Sequence, residues 1–137
     1  MVPPYNMRVR IRALFLWTME FYDTKQWEQK RESILRRDQY MCQISKRYGL
    51  FRQAEVVHHI FPLNEYPEYA LCDWNLISIT RKKHNELHDR DTDELTETGR
   101  ELLIRTARKN GIEIPEKYQN AIRKKRHKEF RNYTRIS

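Results

Sequence analysis

The chain has 137 residues, of which 39% are apolar and 34% charged, and its 27 Lys plus Arg against 19 Asp plus Glu give a formal net charge of +8. That length holds one domain with a modest core and excludes two independent ones, while the charge attracts polyanions, nucleic acid first among them, without specifying a fold. No apolar run approaches the ~20 residues that span a bilayer, and Cys42 and Cys72 lack the spacing of a disulfide framework, as expected of a protein working in the cytoplasm.

Met1 to Asn6 reads as a loose lead with Pro3 and Pro4. Arg8 to Arg12 alternates basic and apolar residues before the apolar run from Ala13; an element packed on the domain and a basic arm on DNA account for it equally well. The run ends at Glu20 without a small-residue cleavage site, so it is not a signal peptide. Asp23 and Gln26 form a capping box that predicts a helix from about Thr24 to Arg37, with Trp27, Ile34 and Leu35 on one side. Gln39 to Ile44 reads as a short strand, followed by a turn at Lys46 to Gly49. Ala54 to Ile60 carries β-branched residues and stops before Pro62, as a short strand does. Cys72 to Asn75 is a turn leading into a second apolar strand, Leu76 to Thr80, and the run Arg81 to Arg90, free of Gly and Pro, permits a helix. After an acidic connector, Asp89 to Asp93, Thr98 with Glu101 makes a second capping box and predicts a helix from Gly99 to Asn110, ended by Gly111. Pro115 suits the first turn of a last helix. From Gly111 onward eight Lys or Arg face three Glu, densest at Arg123, Lys124, Lys125 and Arg126. A helix carrying that charge binds a duplex without reading its sequence, and does so in a salt-sensitive way; the bland alternative is a solvated tail.

Four of the five histidines, His58, His59, His84 and His88, fall within 31 positions of one another. Imidazole is both the commonest metal ligand and the side chain that titrates near neutrality. His84 and His88 are four apart, so on a helix both rings reach one ion. Adjacent strand residues point to opposite faces, so His58 and His59 are not equivalent: one serves as third ligand and its neighbour as general base. Three imidazoles suit Zn, Ni or Mn better than Mg, which prefers oxygen, though Mg stays among the candidates.

Val57-His58-His59, then Asn75, then His84-x-x-x-His88, in the order strand, loop, strand, helix, closely resembles the HNH family of nucleases. The likeness extends over about Phe21 to Gly111 and is nearest to small phage-type members. It implies an α+β fold with a ββα-metal core and flanking helices, and metal-dependent endonuclease activity on DNA. Under it His59 matches the general base, Asn75 the residue that braces the loop and helps orient that base, and His58 and His84 metal ligands. His88 matches the extra ligand of the histidine-rich, colicin-DNase-like branch. It divides the chain into an N-terminal arm (1–22), the nuclease domain (23–111) and a basic helix or tail (112–137). It also implies one divalent ion and no structural zinc, since Ser45, Thr80 and Lys83 stand where many relatives have the thiols that would join Cys42. Double-stranded DNA is the implied substrate and phage DNA-packaging proteins are implied partners, in the cytoplasm of a bacterial host. Arg52 and Arg81, near the site in sequence, are the candidates for phosphate contact there. Glu55, Glu65 and Asp73 are candidate carboxylates behind the histidines.

Two other readings compete. A non-catalytic zinc-histidine module accounts for the histidines and the basic tail but leaves His59 without a use. Plain packing of the histidines is the usual fate of one such residue and a poor account of four at these spacings.

Overall fold

The structure is a computed structural model and describes residues 16–135. The alternating segment Arg8 to Arg12 lies outside the described residues. In chain order the elements are a helix over 16–22 (α1), α2 (Lys25–Arg37), α3 (Gln43–Arg47), β1 (Val56–His59), β2 (Leu76–Ile79), α4 (Arg81–Leu87), α5 (Glu97–Asn110) and α6 (Glu116–Arg135), with short 3₁₀ turns at Pro67–Tyr69 and Asp73–Asn75. This is the α+β arrangement expected, a two-stranded antiparallel hairpin followed by a helix, with further helices on its flanks.

The hairpin register pairs Val56 with Ile79, Val57 with Ser78, His58 with Ile77 and His59 with Leu76. Strand alternation sends one set of side chains to each face, and two cores form accordingly. Val57 and Leu76 join Trp27, Ile34, Leu35 and Ala54 beneath α2. Ile77 and Ile79 join Leu87, Leu95, Leu102, Leu103 and Ala107, between α4 and α5, and Tyr118 at the start of α6 closes that cluster. The end of α2 is fastened to the hairpin by polar bonds. The buried Asp38 carboxylate accepts from Arg37 (2.9 and 3.0 Å) and from the Ser78 N–H (3.0 Å), and Arg37 also donates to the Asp73 and Leu76 carbonyls, both at 2.7 Å.

Several boundaries differ from the expectation. Gln39 to Ile44 is not a strand: Gln39 and Tyr40 take left-handed backbone conformations (φ 56° and 57°), only Met41 bridges to Gln53, and Cys42 caps α3. The Cys42 Sγ accepts from the Ser45 N–H and hydroxyl (3.5 and 3.2 Å). Burial pushes the thiol up, but hydrogen bonds from Ser45, Thr80 and Ile44 outweigh it and hold it below its ordinary value. The N-caps of α2 and α5 are Thr24 and Thr96, whose hydroxyls accept from the N–H of Trp27 and Gly99. Helix α4 stops at Leu87, not Arg90. Its last carbonyls are taken by α5: the Thr96 hydroxyl donates to Glu86 (2.7 Å) and the Thr96 N–H to Leu87 (3.0 Å). His88 is then extended and bridges to Leu95.

Candidate metal centre

His58 leaves β1 on the face toward α4 and α5, where it meets His84 of α4 and His88 just beyond it. Ring centroids are 5.4 Å apart for His58 and His84, and 5.1 Å for each of the other two pairs. One nitrogen from each ring lies within 4.8 Å of the others, near enough for the three to converge on a single ion with small side-chain adjustments. His84 and His88 stay side by side although α4 ends between them, because the extended His88 is held by its bridge to Leu95.

The protonation states suit a cation. His58 is only 2% exposed; burial first, then His88, His84 and His59, push its pKa well below the usual range. His84 is lowered by burial and then by His88. His88 Nδ1 lies 3.3 Å from the Asp93 carbonyl. A carbonyl only accepts, so Nδ1 carries the hydrogen and Nε2 is the nitrogen left for a metal, the orientation that partners behind a ligand impose. Asp93 does this from a left-handed conformation, φ 58°. The decisive feature is His58 Nε2, a buried ring nitrogen without a hydrogen-bond partner among the described residues. Such an atom is costly to leave unpaired, and a metal ion is the partner that this donor set fits.

His59 turns to the other face. Its Nε2 lies 3.0 Å from the Ala70 carbonyl and its Nδ1 3.4 Å from the Tyr22 hydroxyl. The carbonyl fixes the hydrogen on Nε2, so Nδ1 is the acceptor and Tyr22 the donor. Trp27 stacks on the ring at 4.9 Å, and Phe21 approaches it edge-on at 5.8 Å. Burial lowers the His59 pKa to about 4, against a small upward pull from Ala70, so the ring is neutral at physiological pH. It has the protonation state of a base.

Asn75 is fully buried and staples the loop between the strands. Its Oδ1 accepts from the Phe61 N–H (2.7 Å), and its Nδ2 donates to the Phe61 and Tyr69 carbonyls (3.2 Å each). Its side-chain hydrogen bonds go to Phe61 and Tyr69, and through Tyr69 it holds the peptide beside the Ala70 carbonyl that meets His59. Arg81 is exposed at the start of α4, 3.8 Å from Glu55, and its charge is felt at His84. Arg52 is exposed and donates to the neighbouring Phe51 carbonyl. Arg123, Lys124, Lys125 and Arg126 are exposed on α6. The last three line a groove against α5 with Arg105 and Arg108, and Lys125 pairs with Glu101; the four histidines are not part of that groove. The candidate carboxylates are engaged elsewhere: Glu65 with Lys117 (2.6 Å), Asp73 with Lys30 (2.7 Å) and Glu55 with Arg81. Tyr22, the Ala70 carbonyl and Asp93 were not singled out in the sequence.

Neither a family model nor a curated protein sequence matches the chain. Among solved structures, it is similar to the HNH endonuclease of the deep-sea thermophilic bacteriophage GVE2, crystallised with manganese ion. The TM-score is 0.57 at 27% identity, over 59% of this chain and 88% of that one. The likeness supports the ββα-metal core, and with the histidine triad it points toward metal-dependent nuclease chemistry.

Proposed function

We propose that this protein is a metal-dependent endonuclease that hydrolyses DNA phosphodiester bonds, with His58, His84 and His88 holding one divalent ion and His59 acting as general base. The observation that carries the reading is the partnerless Nε2 of His58 in a three-histidine cluster, one residue away from a neutral, tautomerically fixed imidazole on the opposite face of the strand. When bound, the ion supplies a Lewis acid for the phosphoryl and leaving oxygens. His59 takes the proton of the attacking water on Nδ1, since Nε2 is committed to Ala70. Asn75 acts as a positioning residue by fixing the 60–75 loop. Arg81 meets a phosphate near His84, and the basic run on α6, with Arg52, supplies contacts to duplex backbone that position without specifying. The manganese of the similar phage endonuclease favours Mn among Mn, Zn, Ni and Mg. Its phage source favours a phage-encoded protein in the cytoplasm of a bacterial host, with DNA-packaging proteins as partners.

Plasmid cleavage by the purified protein with each of the four metals tests this. Wild type is expected to cut, and folded, metal-loaded His59→Ala to lose roughly 10²–10⁴-fold in rate, the usual contribution of a general base. If neither cuts with any metal while both bind DNA and hold zinc tightly, the site is a structural module and the nuclease reading is wrong.

A further inference from the structure

His59 as it stands cannot receive a water molecule. The residue is 5% exposed. Nε2 is spent on Ala70, and Trp27 stacks along the ring. The remaining approach, to Nδ1, is filled by the Tyr22 hydroxyl at 3.4 Å. No water fits between two atoms at that distance, and a water poised on Nδ1 would have to stand where the phenol oxygen is. The charge of the Asp93 carboxylate, whose backbone orients His88, acts on the phenol and, after burial, helps to raise its pKa.

The walls of this enclosure differ in how firmly they are set. Trp27 is a core residue, buried with Ile34, Leu35 and Val57. Tyr22 is 45% exposed, its bond to Nδ1 is long, and it belongs to α1, whose Leu16, Trp17 and Met19 also face solvent. Swinging the phenol outward breaks one long hydrogen bond and the edge-on contacts of the Tyr22 ring with Phe21, Trp27 and His59, and leaves Trp27 in the core.

We propose that the Tyr22 hydroxyl holds the place of the attacking water on His59 Nδ1, and that residues 16–22 form a cover over the base which lifts when DNA engages the site. The proposal rests on His59 being the base. It adds a closed resting state that shields the imidazole until substrate arrives, with Tyr22 as the residue that moves.

Accessibility of the imidazole can be read without any cleavage. Diethyl pyrocarbonate acylates a bare imidazole nitrogen, releasing ethanol and carbon dioxide, and fragmentation of the 58–59 peptide in a mass spectrometer separates His59 from His58. Modification of His59 is expected to be roughly tenfold faster in Tyr22→Ala than in wild type, the ratio for a cover open about a tenth of the time. The exposed His127 on α6 should react at one rate in both proteins. Equal rates at His59 overturn the cover, and so does a rise shared by all the histidines, which would report a loosened fold. Tyr22→Phe keeps the rings and removes only the hydroxyl; His59 should react faster in it than in wild type, and a rate equal to wild type would show that the hydroxyl holds nothing. Accelerated modification in both variants, together with no plasmid cleavage under any metal, overturns the nuclease reading itself and separates that failure from failure of the cover.

Discussion

Asn75 satisfies its amide entirely with backbone. One side chain accepts from Phe61 and donates to Phe61 and Tyr69, and none of it reaches solvent. Removing it leaves a buried N–H and two carbonyls to find other partners, and each buried group left unpaired costs about 1–3 kcal/mol. Asn75→Ala is therefore expected to lose about 2–4 kcal/mol of unfolding free energy in a urea titration. Asn75→Asp should be at least as damaging, because it aims a second acceptor at two carbonyls. A urea midpoint for Asn75→Asp equal to wild type would show that the staple carries no weight. That a single Asn ties the loop was legible in the sequence; which carbonyl it serves was not, since Tyr69 and Phe61 meet it only after the 61–75 loop folds back.

The elements carry a second lesson about what a sequence can show. The opposite facing of His58 and His59 follows from strand alternation, a local rule that β1 obeys. The end of α4 does not follow from any local rule. Nothing in Arg81 to Arg90 says stop; the stop is Thr96, which reaches from the start of α5 to the Glu86 and Leu87 carbonyls. The same long-range closure hides the aromatic cover of His59, whose members come from α1 and α2. Gly99 makes the α4–α5 approach possible, because a Cβ there would stand 2.4 Å from the Leu87 carbonyl oxygen and 3.0 Å from a Leu95 methyl. Gly99→Ala must push α5 away from α4. The expected cost is about 1–3 kcal/mol, as for other overpacked contacts. Because Leu95 and Asp93 also hold His88, the variant should bind Mn more weakly by calorimetry than its loss of stability alone explains. An unchanged Mn affinity in folded Gly99→Ala would show that the ligand geometry does not depend on this contact.

Over the whole molecule, the neutral buried histidines link stability to pH. The native pKa of His59, about 4, lies below the unfolded value near 6.5, and those of His58 and His84 are lowered in the same direction. Unfolded chains therefore bind more protons than native ones in this window. The contribution of these rings to stability is complete above about pH 6.5 and is lost as pH falls toward 4, with His59 alone worth on the order of 3 kcal/mol across it. Metal-free protein should show a urea midpoint that declines over this range, and His59→Gln a shallower decline; a flat profile between pH 7 and 4.5 would contradict the burial that sets these shifts.

The division of His58 and His59 between two faces has a consequence for how this stretch can vary. The two side chains are separated by one peptide unit, and a slip of β1 by one residue against β2 would exchange their faces, not merely displace them. His58 would enter the aromatic enclosure and His59 would join His84 and His88. Substitutions within Val56–His59 can therefore be graded in their effects, but the insertion or deletion of a single residue there exchanges the surroundings of both rings at once, so the spacing of this strand is under tighter constraint than most of the residues in it.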